Sequence, residues 1–163
     1  MVIGNRVAAP SNNNYNEQTG TNNPFDGINL NVFDAVSKAT LADIDGDGDL
    51  DLIIGKGDGD LQYFQNTGSA SSASYSEQTG SNNPFDGIDV GYNASPAFAD
   101  VDGNGTLDIL IGEGGEGTSR VVYYQNTGST TNPSYSTSSV TGSSSPIDGI
   151  SLTSYTATQA YAD

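Results

Sequence analysis

The chain carries the stretch Asp43-Ile-Asp-Gly-Asp-Gly-Asp-Leu-Asp51 between two short apolar segments. The same arrangement returns 57 residues later as Asp100-Val-Asp-Gly-Asn-Gly-Thr-Leu-Asp108, again with apolar residues on both sides. Short apolar segments bounded by Gly and Asp are typical of β-strands joined by turns. The two stretches therefore predict a strand–loop–strand unit that occurs at least twice.

The surrounding sequence repeats with nearly the same period. Glu17–Ile28 recurs almost unchanged as Glu77–Ile88, and a third version occupies Thr141–Ile150. Gln65-Asn-Thr-Gly-Ser69 returns at Gln125–Ser129. A fixed period of this length indicates one supersecondary unit used several times. We divide the chain into a partial repeat (residues 1–37, with a third strand, a fourth strand and a connection), two complete repeats (38–94 and 95–151) and the start of a further repeat (152–163).

Each complete repeat contains four strand signals. The apolar run Leu50–Ile54 is continuous, which suits a strand covered on both faces. We expect an all-β fold of tandem four-stranded antiparallel blades of about 60 residues, arranged as a β-propeller or as a linear repeat array. A longer Gly-rich turn is predicted at Gly112–Ser119. The predicted strands are Ala39–Ile44, Leu50–Ile54, Asp60–Gln65 and Ser74–Gln78, then Pro96–Val101, Leu107–Ile111, Arg120–Gln125 and Ser134–Ser138.

The two ends of the chain fall inside repeats. The segment Val2–Asn5 aligns with a third strand, and Gln159–Asp163 aligns with a first strand. Asp163 is then the first position of a third acidic loop. We expect a segment of a longer repeat protein, the alternative being a chain that closes by oligomerising.

Composition excludes several classes of function. The formal net charge is −16, with 4 Lys plus Arg against 20 Asp plus Glu, so no basic patch is available for nucleic acid or an anionic membrane surface. Without His or Cys, the chain lacks imidazole bases, thiol nucleophiles and the usual zinc ligands. No apolar stretch is long enough for membrane insertion. We therefore expect a protein that is not an enzyme.

The acidic stretches have the ligand spacing of a calcium loop. Oxygen-bearing residues recur at relative positions 1, 3, 5, 7 and 9, and Ca²⁺ takes 6–8 oxygen ligands. Side chains at 1, 3 and 5, a carbonyl at 7 and a carboxylate at 9 can converge, while Gly48 and Gly105 at position 6 suit a sharp turn. The expected metal ligands are Asp43, Asp45, Asp47, Asp49 and Asp51 in the first loop, and Asp100, Asp102, Asn104, Thr106 and Asp108 in the second.

Two other interpretations of the loops are less satisfactory. A helical EF-hand needs Glu at the twelfth position, which is Ile54 in the first copy, and the flanks read as strands. A solvated acidic hairpin would leave four or five carboxylates repelling one another. We expect about two calcium ions per chain. The second loop should bind more weakly, because Asn104 and Thr106 replace aspartates.

Both acidic loops and the strands beside them resemble the repeats of a known family. The segments Leu41–Gly55 and Phe98–Gly112 are similar to the FG-GAP/VCBS repeats, the calcium-loop blades of integrin-α-like β-propellers, which also occur in bacterial surface proteins and some lectins. The resemblance implies a calcium site between the first two strands of each blade. It also implies a location outside the cell or at its surface, in a bacterium.

Two functions follow from this combination. The first is a calcium-binding module of an adhesive or structural, fibre-forming protein whose partners are further repeats, other copies, or matrix and cell-surface proteins. The second is a β-propeller lectin with glycan pockets between blades. A hydrolase accessory domain is a third, weaker reading. The paired aromatic residues of the third strands, Tyr63-Phe64 and Tyr123-Tyr124, would stack on sugar in a lectin, and otherwise would pack between blades.

Overall fold

The computed structural model describes residues 16–30, 37–115 and 118–148. The strand predicted at 2–5, the strand predicted at 159–163 and Asp163 lie outside the described residues. Within these ranges the regular structure consists of seven strands and three short 3₁₀ turns, and no helix is long and apolar enough to cross a membrane. The all-β prediction is therefore confirmed.

The first repeat forms a four-stranded antiparallel sheet. Its strands are β1 (Lys38–Ala42), β2 (Asp51–Gly55), β3 (Leu61–Asn66) and β4 (Tyr75–Gln78), hydrogen-bonded in chain order. Every residue of β2 is buried, as its continuous apolar pattern predicts. The register pairs Ala42 with Asp51, so the acidic loop connects β1 to β2 at one end of the sheet.

The second repeat forms a three-stranded antiparallel sheet of β5 (Ser95–Ala99), β6 (Asp108–Gly115) and β7 (Thr118–Tyr124). The turn predicted at Gly112–Ser119 is wrong over most of its length. Strand pairing continues from Gly112 with Val121 as far as Gly115 with Thr118. An ion pair between Glu113 and Arg120, directly opposite each other in this extension, stabilises the longer hairpin.

The fourth strand predicted at Ser134–Ser138 is also wrong. Only the two ends of the segment 135–140 meet the sheet. Tyr135 forms an isolated bridge with Asn126, and Val140, two residues beyond the predicted strand, donates its N–H to the Tyr123 carbonyl over 2.8 Å. The repeat spacing explains the gap, because Tyr75 recurs after 60 residues as Tyr135, whereas the later turns recur after 62. The two extra residues interrupt the pairing between these ends.

The connection after each fourth segment adopts the same local structure three times. It begins with a 3₁₀ turn, at Gly20–Asn22, Gly80–Asn82 and Gly142–Ser144. The side chain that follows the turn then accepts a backbone N–H two residues ahead, as Asn83 Oδ1 does from Phe85 at 3.0 Å. This Asx-type turn places Phe85 between the two sheets.

The core lies between the two sheets. Phe85 is 1% exposed, with its ring centroid 5.6 Å from Tyr63, 5.6 Å from Phe98 and 5.3 Å from Tyr135. The adjacent aromatic residues of the third strands are all buried. Their burial agrees with the packing interpretation, with Tyr63 and Tyr124 in the cluster between the sheets and Phe64 in a second cluster with Leu52 and Ile54. The rings concerned are Tyr63, Phe64, Tyr123 and Tyr124.

Candidate metal sites

Each acidic loop joins the first two strands of its sheet in a tight turn. The glycine at position 6 has positive φ in both copies, 91° at Gly48 and 89° at Gly105, as the sequence predicts. The glycine at position 4 does the same, with φ of 70° at Gly46 and 75° at Gly103. These two left-handed residues turn the loop so that alternate side chains point to its interior.

In the first loop three carboxylates converge. Asp43, Asp45 and Asp47 each offer an oxygen, and these oxygens all lie within 4.8 Å of one another. Backbone donors hold them in place: the Gly48 N–H donates to Asp43 Oδ2 over 3.1 Å, and the Asp49 N–H donates to Asp47 Oδ1 over 3.0 Å. The sequence-predicted ligands at positions 1, 3 and 5 therefore form one cluster.

Two buried oxygens of this loop have no hydrogen-bond partner. They are Oδ1 of Asp43 and Oδ1 of Asp49. Asp49 is only 7% exposed, and burial followed by the charges of Asp47, Asp45 and Asp43 raises the pKa of its carboxyl. A buried carboxylate oxygen without a donor is costly unless a cation lies against it. Hard oxygen ligands from several carboxylates suit Ca²⁺, so the residues present fit that ion.

In the second loop the converging carboxylates are Asp100, Asp102 and Asp108. Asn104 and Thr106 lie in the same loop, but their side chains are partly engaged with each other, since Thr106 Oγ1 donates to Asn104 Oδ1 over 2.5 Å. Asp100 and Asp102 are exposed, and no oxygen of this loop is buried without a partner. Each cluster contains three carboxylates, but the second loop as a whole has three aspartates where the first has five.

The carboxylate at position 9 also has a second role in both loops. Asp51 accepts three hydrogen bonds, from the Ile44 N–H (3.1 Å), the Tyr63 hydroxyl (3.0 Å) and the Asn66 N–H (2.7 Å). Asp108 repeats the pattern with Val101, Tyr123 and Asn126. Both side chains are buried, at 1% and 0% exposure. Position 9 therefore ties the loop to the third strand. In the second loop it also belongs to the group of converging carboxylates, whereas Asp51 lies outside the group in the first loop.

Sequence reasoning missed the partners that the third strand supplies. Gln65 Nε2 donates to Asp45 Oδ2 over 2.6 Å, and Gln125 Nε2 donates to Asp102 Oδ2 over 2.5 Å. The Asn66 side chain accepts from Gly68 and Ser74, which closes the following turn. Gln-Asn-Thr-Gly recurs after 60 residues, close to the 57-residue spacing of the loops, and this recurrence was the signal that could have linked these residues to the loops.

In the part of the chain that the structure describes, no basic side chain forms an ion pair with a carboxylate of either loop. Among the described residues, the ion pairs join Lys56 to Asp58 and Asp60, and Arg120 to Glu113. The carboxylate oxygens of each cluster lie close enough together to surround one ion. The arrangement can therefore hold a hard divalent ion in each loop.

Comparison with known families agrees with this geometry. A model described as an FG-GAP-like repeat matches residues 43–111, and one described as an FG-GAP repeat matches residues 92–140. No curated protein and no solved structure gave a significant match. The two family matches together cover both acidic loops and more than half of the 163-residue chain. The chain belongs to the FG-GAP repeat family.

Proposed function

We propose that this chain is a calcium-binding repeat module of an extracellular or cell-surface protein, with an adhesive or structural role. FG-GAP repeats typically occur in extracellular proteins and are generally non-enzymatic. In this role the neighbours of the module are further repeats or other copies of the same protein. The partner to which the module adheres is a matrix or cell-surface protein or a glycan.

The observation that carries the metal part of the proposal is the pair of unpartnered buried oxygens in the first loop. Asp43 is one of the three converging carboxylates, Asp49 lies in the same loop outside that cluster, and Oδ1 of each has no hydrogen-bond partner. Ca²⁺ supplies the positive charge that would make these positions favourable. Asp43, Asp45, Asp47 and Asp49 would hold the ion there. Asp100, Asp102 and Asp108, with Asn104 and Thr106, would hold a second one.

The role of the ion would be structural, because the first loop packs against the second repeat. A Cβ placed on Gly46 would lie 2.8 Å from the Thr130 carbonyl oxygen and 3.3 Å from the Thr131 Cγ2. Calcium would stabilise the conformation of this loop, which forms part of the contact between the repeats. The equivalent Gly103 has no atom within 4 Å of such a Cβ among the residues that the structure describes.

Calcium stoichiometry tests the proposal. Isothermal titration of the chelator-treated protein should give about two sites per chain. Asp45→Asn should remove or strongly weaken one site, Asp102→Asn the other, and the double variant should bind no calcium. Asp86→Asn, in the exposed connection, is a charge-matched control that should retain both sites. Absence of binding, or two unchanged sites in the double variant, would contradict the proposal.

A second candidate function, carbohydrate binding, is favoured by a cleft between the repeats. The cleft has a volume of about 440 Å³ and lies beside the first acidic loop, with Asp45 and Gln65 in its wall. Neutral polar side chains supply much of the remaining lining, and two proline rings offer apolar surface. Such a lining suits the hydroxyl groups and apolar faces of a neutral sugar. The neutral polar residues are Gln78, Ser81, Asn82, Thr131 and Asn132.

Saturation-transfer NMR with a panel of neutral oligosaccharides tests this second function. Binding that is lost in Asn82→Ala and Asn132→Ala, and retained in Ser71→Ala on a distant exposed turn, would support it. Transfer signals that are absent, or that survive both changes in the cleft, would exclude this cleft as a sugar site. Calcium binding by the loops would stand in either case.

A further inference from the structure

The last residues of the third strand reach into the acidic loop of the same repeat. Gln65 lies on β3, 20 residues from Asp45 in sequence, and its Nε2 donates to Asp45 Oδ2 over 2.6 Å. Both side chains are partly buried. The position-3 carboxylate is therefore held by a residue that belongs neither to the loop nor to the strands that the loop connects.

The same contact occurs in the second repeat, although the two loops differ. Gln125 Nε2 donates to Asp102 Oδ2 over 2.5 Å. The residues at positions 5 and 7 change from Asp47 and Asp49 to Asn104 and Thr106 between the copies, while the glutamine contact keeps its geometry. The glutamine contact is therefore kept in both repeats, although in the second loop Asp102 Oδ2 also accepts from Asn104 Nδ2, over 3.0 Å.

A hydrogen bond of this kind restricts one oxygen and leaves the other available. Oδ2 of Asp45 accepts from the glutamine, whereas Oδ1 accepts only from the Asp47 N–H, over a long 3.4 Å. A neutral amide donor also opposes the tendency of Asp45 to turn away from Asp43 and Asp47 under mutual repulsion. Charge-assisted bonds to an ionised carboxylate are among the stronger hydrogen bonds in proteins.

We propose that Gln65 and Gln125 are positioning residues that set the calcium affinity of their loops by holding the position-3 carboxylates towards the ion. This proposal rests on the calcium binding proposed above. Residues that orient a metal ligand from outside the coordination sphere typically contribute about 10–100-fold to metal affinity. The effect is specific to one loop, because each glutamine contacts a single aspartate.

The glutamines are distinguishable from the residues that maintain the fold. Asp51 and Asp108 each accept three hydrogen bonds that already hold the loop to the third strand. Gln65 and Gln125 are only partly buried. Their removal should therefore alter the metal site without altering the stability of the calcium-free protein.

The experiment compares calcium affinities of single loops. In an Asp102→Asn background, which leaves the first loop alone, Gln65→Leu should weaken calcium binding by about 10-fold or more in isothermal titration. In an Asp45→Asn background, Gln125→Leu should do the same for the second loop. Gln62→Leu is the matched control, since Gln62 lies on the same strand as Gln65 but donates to Glu77 outside the loop. It should leave both affinities unchanged.

A melting curve in excess chelator separates positioning from a structural role. Unchanged melting temperatures for Gln65→Leu and Gln125→Leu, together with the loss of affinity, support the proposal. Unchanged affinity in both variants would overturn it, and so would a loss that appears only with a lower melting temperature of the calcium-free protein. Wild-type protein that binds no calcium would overturn the proposed function as well, whereas normal wild-type binding with unaffected variants would overturn the role of the glutamines alone.

Discussion

Gly55→Ala is expected to lower the free energy of unfolding by about 2–3 kcal/mol, because the new methyl group has no space at the contact between the repeats. A Cβ at this position would lie 2.2 Å from the Ala94 carbonyl oxygen and 2.7 Å from the Pro96 Cδ. The carbonyl belongs to the backbone that leads into β5, so no side-chain rotation relieves the clash. The repeats would have to move apart, which also loosens the packing around Phe85.

The second repeat offers a matched control for this substitution. Gly112 occupies the equivalent position of its sheet, but a Cβ there would meet the Ser95 Cβ at 3.7 Å and the Ser95 carbonyl oxygen at 3.8 Å, which are ordinary contacts. Gly112→Ala should change stability by less than about 1 kcal/mol, and alanine is the better residue within a strand. Urea denaturation of both variants measures the difference. Equal losses at the two positions would show that the clash predicted at Gly55 does not occur.

Asp51→Ala is expected to lower stability by about 3 kcal/mol even without calcium, because three buried donors lose their acceptor. These donors are the backbone N–H groups of Ile44 and Asn66 and the hydroxyl of Tyr63. An opposing effect limits the loss. Burial raises the pKa of the Asp51 carboxyl above its usual range, so removing this charge recovers part of the cost of burying it. The unsatisfied donors outweigh that gain because each costs about 1–3 kcal/mol.

Denaturation in excess chelator measures this contribution apart from any metal effect. Asp108→Ala should show a similar loss, since its carboxylate accepts the same three kinds of bond. Asp86→Ala, on the exposed connection, controls for the loss of one negative charge. If Asp51→Ala and Asp86→Ala were equally stable, the carboxylate at position 9 would not have the structural role that its hydrogen bonds indicate.

The acidic loops and the strands beside them were predictable because local residue chemistry determines them. Alternating oxygens, glycine at position 6 and apolar flanks permit few conformations, and Gly48 has the positive φ that its position requires. Because the second loop has the same spacing of residues, the same prediction applies to it. The continuous apolar pattern of β2 likewise predicted a strand that is buried along its whole length.

Errors arose where the outcome depends on registers and distances that residue types do not encode. Two extra residues after Tyr135 leave the predicted fourth strand of the second repeat attached only at its ends. The glycines from Gly112 onward predict a turn, yet Gly112, Gly114 and Gly115 pair with β7 and therefore lie in a strand. The spacing of position 9 suits a metal ligand and a structural acceptor equally, so the three hydrogen bonds of Asp51 could be found only in the structure.

Thermal melting with and without calcium tests the central claim most directly. In a calcium concentration about 100-fold above the dissociation constant, each filled loop should stabilise the protein by about 2.7 kcal/mol, equivalent to a rise in Tm of about 5–10 °C. The Asp45→Asn/Asp102→Asn double variant should show no such rise, and Na⁺ at equal ionic strength controls for screening of the −16 net charge. A wild-type Tm that is the same in calcium and in excess chelator would contradict a structural calcium role.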